Sequence, residues 1–288
     1  MMNPKGTLIP IGGNEDKGEG KSESDSLEFI EAGILARVVR ESGGSDGLFV
    51  IIPTASSIPV EVGELYLDAF HKLGCENVKV LDIRKKTDSE KPESIQLIKE
   101  ASCIMFSGGD QSKIATKIGG TTIHQILKDR YQNEVDFVIA GTSAGAMAMS
   151  TEMIAGGRAT ESFEKGVVRM SAGLGLTPGV MWDTHFVKRG RFGRTSQAVA
   201  KYPTLLAIGL GEDTGVVIKN GQDCTVIGSG MVIVFDGAEI GHNNEAILEE
   251  GTPMTLTNLK VHVLSNSDGY NLKTKKVSVL PIDAPYEV

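Results

Sequence analysis

The chain has 288 residues, enough for one large domain or two small ones, and for a core that needs no disulfide or metal staple. Apolar residues make up 40% and charged residues 23%, which excludes a mainly disordered chain. No apolar run approaches the ~18 residues of a membrane span, and 29 basic against 37 acidic residues (net −8) leave no general footprint for nucleic acid.

The apolar run at residues 7–10 is too short for a signal-peptide core, so a cytoplasmic location is expected. Residues 6–11, closed by Gly12-Gly13, read as a buried strand and a glycine turn. Residues 14–24 are polar and read as a loop. Apolar residues then recur at helical spacing from Leu27 to about Val39, and Gly43-Gly44 stop that helix. Residues 48–52 form a second buried strand, ended by Pro53; 58–72 read as a helix and 78–81 as a third strand. A short helix at 92–100 leads to a fourth strand at 101–106. That strand runs into Ser107-Gly108-Gly109-Asp110-Gln111 and a further helical stretch. Another helix precedes a fifth strand at 136–140, which enters Gly141-Thr142-Ser143-Ala144-Gly145-Ala146 directly. Apolar strands alternating with amphipathic helices signal a parallel sheet covered on both faces.

After residue 150 the texture changes. Glycine-rich loops surround residues 182–194, and 205–210 form another buried strand. Runs at 215–218, 224–227 and 231–235 follow, with Asn220-Gly221 as a hairpin turn. No Pro/Ser linker and no internal repeat interrupts the chain. The expectation is one α/β domain over residues 1–288, a mostly parallel doubly wound sheet with an antiparallel C-terminal extension.

Gly141-Thr142-Ser143-Ala144-Gly145 matches G-x-S-x-G between a strand and a helix, the context a nucleophile elbow requires. The alternative is a glycine turn whose serine caps a helix. The Ala144 N–H would be one oxyanion donor and the Gly109 N–H, at a second strand end, another; Gln111 beside it could hold substrate. A serine nucleophile needs a base. His71 and His124 fall in helices, and His242 and His262 in the strand-rich C-terminal part. His185, in a glycine-rich region after the elbow, is the candidate. For the acid that orients it, Glu161 and Glu212 both stand, because triads are defined by geometry and not by chain order. Lys188-Arg189-Gly190-Arg191-Phe192-Gly193-Arg194 concentrates arginine beside His185 in an acidic protein. It reads either as a solvated loop or as a carboxylate clamp. Asp183 nearby could hold a guanidinium, so a substrate bearing both groups would use both signs. Cys75, Cys103 and Cys224 are too scattered for a disulfide framework or a zinc site, and Cys75 and Cys103 read as core hydrophobes. No nucleotide-binding glycine motif and no metal-ligand spacing occurs, so neither cofactor nor metal is expected.

These motifs, with Gly12-Gly13-Asn14-Glu15-Asp16 and Asp183-Thr184-His185-Phe186, resemble the cyanophycinase family, serine peptidases that also include aspartyl dipeptidase (peptidase E). The resemblance spans nearly the whole chain, including Val261-His262-Val263-Leu264-Ser265 and Tyr270-Asn271-Leu272-Lys273-Thr274. It implies a flavodoxin-like or class I glutamine-amidotransferase-like fold. It also implies a homodimeric exopeptidase that releases β-Asp-Arg dipeptides from cyanophycin, a poly-aspartate bearing arginine on each side-chain carboxyl. Ser143 would be the nucleophile and His185 the base. Glu161 matches one charge-relay position and Glu212 a family glutamate near the site. Gln111, Asp183, Arg189, Arg191 and Arg194 would form the pocket. Thr184 departs from the pattern, which has glutamine there, so another β-aspartyl or acidic peptide is the alternative substrate. On the elbow alone, an esterase or a non-catalytic binding protein would also fit.

Overall fold

The computed structural model describes residues 3–19, 27–157 and 163–285. Its first half alternates as β1 (Thr7–Ile11), α1 (Ile34–Glu41), β2 (Phe49–Ile52), α2 (Pro59–Lys72), β3 (Val78–Val80), α3 (Pro92–Glu100), β4 (Cys103–Phe106), α4 (Gln111–Ile118), α5 (Thr122–Asn133), β5 (Val138–Thr142) and α6 (Ala144–Ala148). The five strands pair in the order β1-β5-β4-β2-β3, all parallel. Their apolar runs are unbroken because both faces are covered. Leu8, Ile104, Phe106 and Ile139 face one cluster with Ile98, Ile114 and Leu127 of α3, α4 and α5. The intervening Ile9, Cys103, Met105 and Val138 face the other, with Leu35, Val38, Ala69 and Phe70 of α1 and α2. Each Val, Leu, Ile, Met or Phe among them contributes about 1.5–3 kcal/mol on full burial. Cys75 and Cys103 belong to this second cluster as free thiols, pushed up by burial to about 11 and about 12 respectively.

One expected helix is shorter than its apolar spacing suggests. The stretch after Leu27 forms turns, with the Ala32 N–H donating to Glu28 O, and the helix starts at Ile34. Gly33 lies so close to Phe29 that an added Cβ would meet its carbonyl oxygen at 2.6 Å, and Ile30 is left exposed. A local apolar rhythm does not extend a helix when the chain must fold back on itself.

The second half comprises β6 (Glu152–Gly156), β7 (Arg169–Ala172), β8 (Val180–Asp183), α7 (Phe192–Lys201), β9 (Leu206–Leu210), β10 (Thr214–Lys219), β11 (Asp223–Gly228), β12 (Val232–Asp236), β13 (His242–Asn243), β14 (Leu256–Thr257), β15 (Lys260–Leu264), β16 (Gly269–Asn271) and β17 (Val277–Ser278). Four of these strands extend the parallel sheet antiparallel across β1, giving β17-β16-β11-β10-β1-β5-β4-β2-β3. Asn220 and Gly221, both at positive φ, turn β10 into β11. A second sheet has the order β15-β12-β9-β8, in which β8 and β9 are parallel and joined through α7. Among the described residues no helix is long and apolar enough to cross a membrane.

Parallel pairing sets the strand ends side by side. Ile11 is level with Thr142, and Phe106 with Gly141, so the chain leaves β1, β4 and β5 at one edge. The second sheet joins that edge where the His185 N–H donates to Gly12 O at 2.9 Å and the Asp213 N–H to Gly13 O at 2.9 Å.

Candidate active site

Ser143 stands alone in the turn between β5 and α6. Its backbone sits at φ 50°, ψ −110°, a conformation that side chains rarely adopt and that costs of order 1–3 kcal/mol. The flanking glycines make the turn sterically possible. A Cβ on Gly141 would lie 2.7 Å from the Gly145 carbonyl carbon, and one on Gly145 2.6 Å from Phe106 O. The Ser143 N–H donates to Ile11 O at 2.8 Å, tying the turn to the end of β1.

His185 follows β8 and Glu212 follows β9, so the parallel pairing of those strands delivers both side chains to the same edge. Ser143 Oγ lies 2.9 Å from His185 Nε2. His185 Nδ1 lies 3.0 Å from Glu212 Oε1. Burial pushes the Glu212 carboxyl up, but hydrogen bonds from Asn14, His185 and Lys188 outweigh it and hold the group below the usual carboxylate range. An ionised Glu212 can only accept, so Nδ1 carries the proton and the Nε2 lone pair faces the serine hydroxyl. Burial lowers the His185 pKa; Glu212 opposes this, and Arg189 and Arg191 add to the lowering. The imidazole is therefore neutral at pH 7.

Gly109 is held at φ +138° with its Cα against Ala55, where an added Cβ would meet the carbonyl oxygen at 2.2 Å. Neither the Gly109 nor the Ala144 amide donates to a backbone carbonyl of a turn, loop or cap among the described residues. A cleft of about 350 Å³ opens at Ser143 and His185. It is walled by Gly13 to Glu15 and Lys17, by Val62, Leu65 and Tyr66, by Gly108 and Gly109, and by Arg189.

Peptidase family S51 matches residues 21–226. The chain belongs to peptidase family S51. It is a serine-type peptidase, a hydrolase. The S51 peptidase is 35% identical over 271 residues to a cyanophycinase of Geminocystis herdmanii, covering 94% of this chain and 95% of that protein. Against a cyanophycinase of Trichormus variabilis it is 35% identical over 280 residues, covering 96% and 90%. Against one of Synechococcus elongatus it is 32% identical over 273 residues, covering 95% and 81%. The crystal structure of a peptidase from an acI-B1 Actinobacterium shares the fold, with a TM-score of 0.62 and 23% identity over 92% of this chain and 98% of that one.

The other residues expected at the site of this S51 peptidase are distributed unevenly. Arg189 is exposed and lines the cleft, with no acidic partner among the described residues. Asp183 is fully buried and engages the chain's own guanidinium groups. Its Oδ2 accepts from Arg194 Nε at 2.7 Å and from Thr195 Oγ1 at 2.8 Å. Its Oδ1 accepts from Arg191 Nη1 at 3.0 Å and from Arg194 Nη2. Burial lowers the Arg191 pKa to about 10 against the pull of Asp183, so it stays charged at neutral pH. Arg191 also donates to Thr184 O at 2.6 Å, and Thr184 itself is buried. The Gln111 amide donates to Ile154 O at 2.8 Å, which ties α4 to β6. Glu161 lies outside the described residues. His124 bridges the Gly120 N–H and Leu174 O, away from the cleft. Asn14, Glu15, Lys17 and Tyr66, which line the cleft, fell in stretches read as a loop and a helix. The Gly-Gly-Asn-Glu-Asp run directly after the first strand was the available signal.

Proposed function

We propose that this S51 peptidase hydrolyses cyanophycin to β-Asp-Arg dipeptides as an exopeptidase. The observation that carries the reading is the hydrogen-bonded series Ser143–His185–Glu212 at the mouth of the cleft. Similarity to proteins named cyanophycinase, over nearly all of the chain, supports the substrate.

In this mechanism Ser143 Oγ attacks the backbone carbonyl while His185 Nε2 takes its proton. Glu212 fixes the tautomer and stabilises the imidazolium. The Gly109 and Ala144 N–H groups receive the oxyanion, an interaction worth about 3 kcal/mol per donor. His185 then gives its proton to the leaving amine, and the acyl-enzyme forms. Water, deprotonated by His185, attacks that ester and releases the dipeptide acid. Arg189 binds a substrate carboxylate. Asp183, with Arg191, Arg194 and Thr184, braces the segment that carries Arg189, and Gln111 ties α4 to β6.

The test incubates insoluble cyanophycin with wild type and with Ser143→Ala, and follows the supernatant by mass spectrometry. We expect β-Asp-Arg from wild type alone. Release by a folded Ser143→Ala protein would remove the nucleophile assignment. Silence from both, with hydrolysis of another β-aspartyl peptide by wild type, would transfer the mechanism to that substrate.

A further inference from the structure

The segment leaving β1 touches the site residue by residue. Ile11 O accepts from the Ser143 N–H, Gly12 O from the His185 N–H and Gly13 O from the Asp213 N–H. Glu15 comes next but one, and its side chain is wholly shielded from solvent. Its Oε2 accepts from Thr142 Oγ1 at 2.6 Å. Its Oε1 accepts from the Tyr66 hydroxyl and lies 3.1 Å from Lys17 Nζ. Burial opposes this charge, but Lys17, Thr142 and Tyr66 outweigh it and keep the carboxyl below its usual range. A buried carboxylate is costly even when paired, and apolar residues of similar volume often serve a core better. Here the charge instead grips the residue immediately before the strained Ser143.

We propose that Glu15 is a positioning residue for hydrolysis: by accepting the Thr142 hydroxyl it fixes the end of β5 and the turn that presents Ser143 Oγ to His185. Two restraints then meet at the turn. The Ser143 N–H is held by Ile11 O, and the preceding side chain is held by Glu15. Without the second, the Ile11 bond alone holds the 142–143 peptide, the turn is less tightly fixed, and Ser143 Oγ spends less time in the 2.9 Å contact with His185. The role rests on Ser143 being the nucleophile.

Thr142→Val keeps the β-branched shape and removes the donor; Thr142→Ser keeps the donor. The rate of covalent labelling by a fluorophosphonate reads Ser143 reactivity independently of the natural substrate. It is measured with kcat and KM on Thr142→Val, Thr142→Ser, Glu15→Gln and the double variant Glu15→Gln/Thr142→Val. We expect Thr142→Val and Glu15→Gln each to lower kcat and labelling by about ten- to a hundred-fold, the scale of a small misplacement. KM should change little, and Thr142→Ser should recover most of the rate. The double variant should be no slower than the slower single, because the two residues share one interaction. Wild-type labelling of Thr142→Val, or losses that multiply in the double variant, would overturn the proposal. Where Glu15→Gln does not fold, the Thr142 pair decides alone. Ser143→Ala separates the two readings. If it still turns over, the nucleophile assignment fails. If it is inert while Thr142→Val labels at full rate, only the role of Glu15 fails.

Discussion

As the proposed base, His185 acts only while its Nε2 is unprotonated, and its surroundings favour that state. Burial and the neighbouring arginines outweigh Glu212, so its pKa lies below the ordinary imidazole value of about 6.5. The kcat/KM profile should therefore be flat through neutrality and fall on an acid limb centred below that value. Glu212→Gln removes the one group that raises the pKa, so the limb should move to still lower pH. The same change should cut kcat by about 10²–10⁴, as loss of a triad acid does elsewhere. A limb that moves upward, or an unchanged kcat, would assign the orienting role to another acid. The sequence singled out Ser143 and His185 because glycine spacing and chain position are local properties. It left Glu161 and Glu212 open because nothing local says which carboxylate a fold brings to an imidazole. Glu15 stood within the Gly12-Gly13-Asn14-Glu15-Asp16 motif but had no role assigned, for the same reason: its partners Thr142 and Tyr66 are far away in the chain, and a glutamate in a polar stretch looks solvated.

At the scale of elements, the arginine run divides in two. Arg189 sits in the loop after β8, whereas Arg191 caps α7 and Arg194 lies in its first turn. The helix turns these last two inward onto Asp183, two residues before His185. A linear reading treats the run as one clamp, although the three-residue spacing of Arg191 and Arg194 already places them on one helical face. The two halves should behave differently. Arg194→Ala leaves Asp183 buried and short of its bidentate partner, and should cost about 3–5 kcal/mol, visible as a lower Tm. Arg189→Ala should leave Tm near wild type and, if cyanophycin is the substrate as proposed, raise its KM. Equal Tm changes in the two variants would contradict the division, and an unchanged KM in Arg189→Ala would remove it from substrate binding.

The whole molecule builds the site where two sheets abut: Ser143 leaves the nine-stranded sheet, while His185 and Glu212 leave the second sheet. The parallel half was legible because strands covered on both faces must be apolar throughout. The second sheet was not. Residues 205–210 and 231–235 read as strands, whereas nothing in the sequence marks 180–183 as one, and short apolar runs do not say which sheet they join. Pairing β8 with β9 across α7 is a non-local choice. If residues 1–288 are one domain, as the absence of a linker suggests, the two sheets must unfold together. Trp182, the only tryptophan, lies fully buried in β8, three residues before His185, and reports on the second sheet directly. Its fluorescence, far-UV circular dichroism and peptidase activity should therefore be lost at a single denaturant midpoint. Fluorescence and activity lost together while most of the dichroism survives would mean that the second sheet opens by itself. The site would then join two separately folding units, and its alignment would depend on the contacts that bind Gly12 and Gly13 to His185 and Asp213.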